Sequence, residues 1–105
     1  MSGDYAQQLT EFFDLTPTTL GDADALAAVL VAAAGAMGLT PLGSPVVRRG
    51  PRGWAASLIG GDGHIVLHTA PDQGRCLINV VARTPAAAER GGEVIARRLG
   101  ARLSE

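Results

Sequence analysis

The chain has 105 residues, 47% of them hydrophobic, and a formal net charge of −1. That length bounds it to a single domain, residues 1–105, near the lower end of what one core can hold together. The balanced charge gives no basic footprint for nucleic acid, and the longest apolar run, Ala25 to Met37, is too short to span a membrane.

Tyr5 to Leu15 reads as a first strand, with Leu9, Glu11 and Phe13 alternating against Thr10, Phe12 and Asp14. The polar stretch around it, MSGDYAQQLTEF, lacks the apolar centre of a secretory signal. Thr16 to Gly21 reads as a turn. Asp22 or Asp24 then caps a helix in which Leu26, Val29, Leu30, Ala33 and Met37 recur at helical spacing, and Gly38 terminates it. The remaining faces of this helix are largely alanine, which suggests burial against a second subunit.

Thr40 to Arg49 carries two prolines and fits an edge or irregular strand. Arg48, Arg49 and Arg52 cluster beside a turn, where either a phosphate or carboxylate site or a solvated basic loop is expected. Trp54 to Ile59 is a short strand, and Gly60 to Gly63 a turn. His64 to Thr69 and Arg75 to Arg83 are strands joined by Pro71-Asp72-Gln73-Gly74, the turn chemistry of a hairpin loop. Cys76, Ile78, Val80 and Ala82 form an apolar face; with period two, His68, Asn79 and Arg83 gather on the opposite one. Thr84-Pro85 opens a last helix, in which Ala88, Gly91, Ile95 and Leu99 share a face, Glu93 and Arg97 stand one turn apart, and Gly100 ends the run. Ala101 to Glu105 is expected to fray or add an edge strand. Strand, helix, three or four strands, helix predicts an α+β fold: a two-layer sandwich with an antiparallel-rich sheet and two helices on one face.

The hairpin also carries a family pattern. His64, His68, Thr69, Pro71, Asp72 and Gly74 match, in order, a motif of the prokaryotic S-adenosylmethionine decarboxylases, pyruvoyl-dependent enzymes of spermidine and polyamine biosynthesis, and the order of elements resembles theirs throughout. The resemblance implies that residue 63 is the position of the Ser that becomes the pyruvoyl group, residue 83 that of an acid–base Cys, residue 55 that of a Ser assisting processing, and residue 70 that of a Trp. Here they are Gly63, Arg83, Ala55 and Ala70. Glu11-Phe12 matches a Glu-Phe pair in the family's first strand, and His68 is retained as the candidate acid–base residue.

Self-processing needs a hydroxyl to attack the preceding carbonyl, giving an ester that β-elimination opens. Gly63 has none, so no pyruvoyl cofactor is expected. All nine basic residues are arginine, so there is no lysine to form a Schiff base with a pyridoxal cofactor either. The expected role is that of a pseudoenzyme binding an S-adenosylmethionine-, amino-acid- or polyamine-like ligand, with Arg83 gripping a carboxylate and Asp72, Glu11, His64 and Asn79 lining the site. An ion pair of Arg83 with Asp72 is the alternative for that guanidinium. The resemblance implies a homodimer, or a mixed dimer regulating an active paralogue, because family sites form at or near a protomer interface. A different enzymatic chemistry, with His68 paired to Asp72 or Glu11, is the second reading.

Other chemistries find less support. His64 and His68 stand four residues apart on a strand, roughly 13 Å, too far to share a metal ion. No serine sits in a nucleophile elbow. The single cysteine, Cys76, falls on the core face, excludes an internal disulfide and fits a cytoplasmic location.

Overall fold

Strand alternation sorts the hairpin residues into a buried set and an exposed one, and the rest of the fold is built on the buried set. In a computed structural model describing residues 5–101, strands β1 (Ala6–Phe12), β2 (Val46–Arg49), β3 (Trp54–Gly60), β4 (Gly63–Ala70) and β5 (Arg75–Ala82) form one sheet in the order β1-β5-β4-β3-β2. Every neighbouring pair is antiparallel. Helices α1 (Pro17–Leu20), α2 (Ala23–Met37) and α3 (Pro85–Arg98) complete the chain, with a single 3-10 turn at Pro71–Gln73 between β4 and β5.

Ile65 and Leu67 of β4 and Cys76, Ile78 and Val80 of β5 are fully buried beneath the helices. Each of the larger side chains contributes on the order of 2 kcal/mol by leaving water. The helices supply the opposite half of the core through Leu26, Leu30 and Ala33 of α2 and Ala88, Ile95 and Leu99 at α3. The helix ends follow from capping. The Asp22 carboxylate accepts from the amides of Asp24 at 3.0 Å and Ala25 at 3.2 Å, and Gly38 ends α2 in the left-handed region at φ 71°. The Thr84 hydroxyl accepts from the Ala87 amide at 3.1 Å, ahead of Pro85 in the first turn.

The α+β sandwich expected from the sequence is the one observed, with one addition. Pro17–Leu20 is a short helix rather than a plain turn, and its Leu20 is fully buried at one end of the core. Four residues are too few to show helical periodicity. The hairpin strand limits differ from the expected ones by a residue: β4 begins at Gly63 and β5 ends at Ala82, before Arg83. Two others are shorter than expected: β1 ends at Phe12 rather than Leu15, ahead of Asp14 with its positive φ of 59°, and β2 begins at Val46 rather than Thr40, after both prolines. Expectations for residues 102–105 lie outside the described residues.

One buried hydroxyl ties three segments together. Thr69, 5% exposed, accepts from the Trp54 amide at 3.1 Å and donates to the Leu20 carbonyl at 3.0 Å. Thr69→Val keeps the shape but strands both backbone groups, so it is expected to destabilise the fold by about 1–3 kcal/mol, read as a lower midpoint in urea denaturation with an unchanged m-value.

Candidate functional site

The helices cover one side of the sheet, and on the other side the register lays side chains in cross-strand rows. One row runs Glu11, Leu77, His68, Ala55, Arg48; the next runs Leu9, Asn79, Val66, Ser57, Val46; a third runs Gln7, Val81, His64, Ile59. His68, Asn79 and Arg83 therefore share a face, as the alternation predicts, but they do not gather. Along β5 the position opposite His68 is Leu77, and Arg83 lies six residues beyond it, roughly 20 Å away.

The open face thus has two ends. At one end His68 borders an open cavity of about 600 Å³, together with Glu11, Trp54, Arg75 and the turn at residues 50–53. His68 is exposed, and its imidazole takes no hydrogen bond from the described residues. Directly across the ladder from it stands Ala55, so the position at which the family pattern has a processing Ser offers His68 only a methyl group. Glu11 is ion-paired: Arg75 holds its carboxylate at 2.8 Å and 3.1 Å, and the same guanidinium sits 4.7 Å from the Phe13 ring centre.

At the other end are Gly63, His64 and Arg83. His64 Nε2 donates to Asn79 Oδ1 at 3.0 Å, which fixes the proton on that nitrogen and engages two of the expected ligand-binding residues with each other. The Arg83 guanidinium lies over the Tyr5 ring at 5.3 Å. The expected alternative pairing of Arg83 with Asp72 does not occur. Asp72 is in the 3-10 turn before β5 and Arg83 follows its far end, a separation of roughly 26 Å along the strand.

Gly63 is packed as well as bare. A Cβ added there would press on the Val81 carbonyl oxygen, well inside van der Waals contact, and lie 3.3 Å from Leu39 Cδ1. The backbone of β5 thus occupies the space a serine side chain would need. Any side chain placed at residue 63 would have to displace that backbone.

Cys76 borders the cavity at the His68 end, but it is fully buried on the apolar face of β5. Burial pushes its thiol up to about 12. Among the described residues no three His, Cys, Asp or Glu side chains gather to hold a metal ion, and no helix is long and apolar enough to cross a membrane. Sequence reasoning missed Arg75 and Trp54 as site residues. Once the β1–β5 register is known, Arg75 falls beside Glu11 as an opposite charge; nothing local marks that pairing, because 64 residues separate the two.

Residues 6–105 match the family model of S-adenosylmethionine decarboxylase. Among solved structures, the adenosylmethionine decarboxylase from Aquifex aeolicus VF5 superposes with a TM-score of 0.83 at 18% identity, covering 94% of this chain and 82% of that one. At that identity the superposition speaks for the fold. Among curated proteins none matches.

The buried thiol gives a pH-dependent expectation. Because the folded-state pKa lies above the ordinary value of 9.0, the stability this thiol lends is full below pH 9. It falls as pH rises from 9 towards 12, where the unfolded chain gives up the proton and the folded one keeps it. At pH 8 Cys76 should resist Ellman's reagent in the native protein and react at once in guanidinium chloride; rapid labelling of the native chain would contradict its burial.

Proposed function

Since the chain belongs to the S-adenosylmethionine decarboxylase family, we propose that it is a member that does not self-process, keeping the fold and the open sheet face to bind a small metabolite related to the family's substrates. The observation that carries this reading is Gly63, where the nucleophile is missing and the Val81 carbonyl closes on the vacated position. Ala55 and Arg83 add to it. Neither can supply the hydroxyl or thiol that the family chemistry would use at its place, whereas a guanidinium can grip a ligand carboxylate.

The two ends of the face bear on assembly. Gly63 and His68 are five residues apart on β4, roughly 16 Å, so one small ligand does not touch both within a single chain. A second copy laid over the face about a two-fold axis running across the strands brings the Gly63 end of one protomer towards the His68 end of the other. The face supports such packing: Leu9, Ile59, Val46 and Leu77 are 62%, 52%, 45% and 38% exposed, whereas α2 leaves only Val31 as a large exposed side chain. The sheet therefore suits a homodimer contact better than the alanine-rich helix does. A mixed dimer with a processing-competent paralogue uses the same surface, and in that form the role is regulatory within polyamine synthesis.

The second reading, replaced chemistry at His68, is favoured by one observation: an unengaged imidazole on a cavity wall. Glu11 serves it poorly as a partner, being held by Arg75. Turnover of a small metabolite that disappears in His68→Ala would decide for this reading.

The intact mass of the purified protein should be that of the whole chain, with no pair of fragments joining at residues 62 and 63. Gly63→Ser should remain uncleaved and be less stable by about 1–3 kcal/mol from overpacking. Two fragments with a pyruvoyl terminus in the native protein would refute the proposal. Calorimetric titration with S-adenosylmethionine, ornithine and spermidine should show saturable binding of at least one. Sedimentation should give a dimer, and Leu77→Asp should yield monomer, because a carboxylate at that position must be desolvated in the contact.

A further inference from the structure

The fold fixes the turn between β2 and β3 against the His68 end of the sheet. The Gly50 amide donates to the Gly53 carbonyl at 2.6 Å and closes the turn. Gly53 lies so close to β4 that a Cβ there would run into the Thr69 carbonyl and the Pro71 ring. The next amide, that of Trp54, is held by the buried Thr69 hydroxyl. Arg52 is thereby carried on a rigid rim of the 600 Å³ cavity, beside Trp54 and His68.

Arginines outnumber carboxylates at this end: Arg49, Arg52 and Arg75 against Glu11 and Asp72. Arg75 is balanced by Glu11, and Arg49 lies over the Trp54 ring at 5.6 Å. Asp72 lines the adjoining recess, which Arg49, Arg52 and Trp54 also border, and does not line this cavity itself. Among the described residues Arg52 and His68 have no hydrogen-bond or ion-pair partner, so the cavity presents a guanidinium and an imidazole against an apolar wall of Trp54, Pro51 and Leu77.

We propose that this cavity is an anion-binding subsite, in which Arg52, with His68 beside it, takes the carboxylate or phosphate of a small metabolite whose apolar part lies against Trp54. A guanidinium presents paired donors to such a group, and a fixed turn lowers the ordering cost of holding it. The inference rests on reading the cavity over His68 as a ligand site, and it names the charge of what enters.

Trp54 is the single tryptophan of the chain, so its fluorescence reports on this cavity and the recess beside it. Titration with inorganic pyrophosphate and, separately, with succinate, at ionic strength held constant with sodium chloride, should give a saturable change for at least one, and the two arms separate phosphate from carboxylate. Arg52→Gln should weaken that binding by roughly tenfold or more, while Arg97→Gln on α3 should titrate like the native protein. A response to chloride equal to that of both anions, or Arg52→Gln behaving as native, would overturn the subsite. If the anions bind but none of the family-related metabolites does, the subsite stands and the family-ligand reading falls. If those metabolites bind equally well to Arg52→Gln, the reverse holds.

Discussion

The placement of every candidate residue depends on the burial of one face of the β4–β5 pair. Ile65, Leu67, Ile78 and Val80 are fully removed from water by the helices, and a slip of one residue in either strand would turn these side chains out and the polar ones in. The cost of several large apolar groups returned to water fixes the register. The register in turn assigns His64, His68 and Asn79 to the open side, at set distances from one another. The site is a by-product of the core.

This explains what was legible in the sequence. The alternation in both strands, the Asp22 and Thr84 caps and the apolar periodicity of α2 are local signals, and each agrees with the structure. Alternation tells which residues share a face but not which are near one another. Asp72 and Arg83 sit at opposite ends of β5, and His68 and Arg83 are separated by most of that strand. The Glu11–Arg75 ion pair and the docking of the residue 50–53 turn against Thr69 depend on tertiary contact between distant segments, for which the chain carries no local mark. Leu20 is a single apolar residue in a Thr- and Pro-rich stretch, and its burial follows only from the shape of the core it closes.

Fold and chemistry answer to different constraints. At 18% identity the chain still superposes on a family structure over 94% of its length, because apolar periodicity, two helix caps and a hairpin turn tolerate wide substitution. A reacting centre tolerates much less, since a reaction that opens with attack by a hydroxyl cannot begin without that one oxygen, whatever else is kept. That asymmetry permits a scaffold to outlive its reaction and to leave a shaped, partly apolar surface open to other uses.

The strand order has a further consequence, for the time course of folding. β2, β3, β4 and β5 are neighbours in sequence and can pair as successive hairpins, but β1 pairs with β5, joining Ala6 to Ala82 and Phe12 to Cys76. β1 therefore emerges before the other four described strands and waits for β5, so Leu9 and Phe12 stay unpaired until Arg75–Ala82 has been made. Non-local pairing of this kind slows folding. It leaves β1 exposed in the nascent chain, as a segment open to unwanted association.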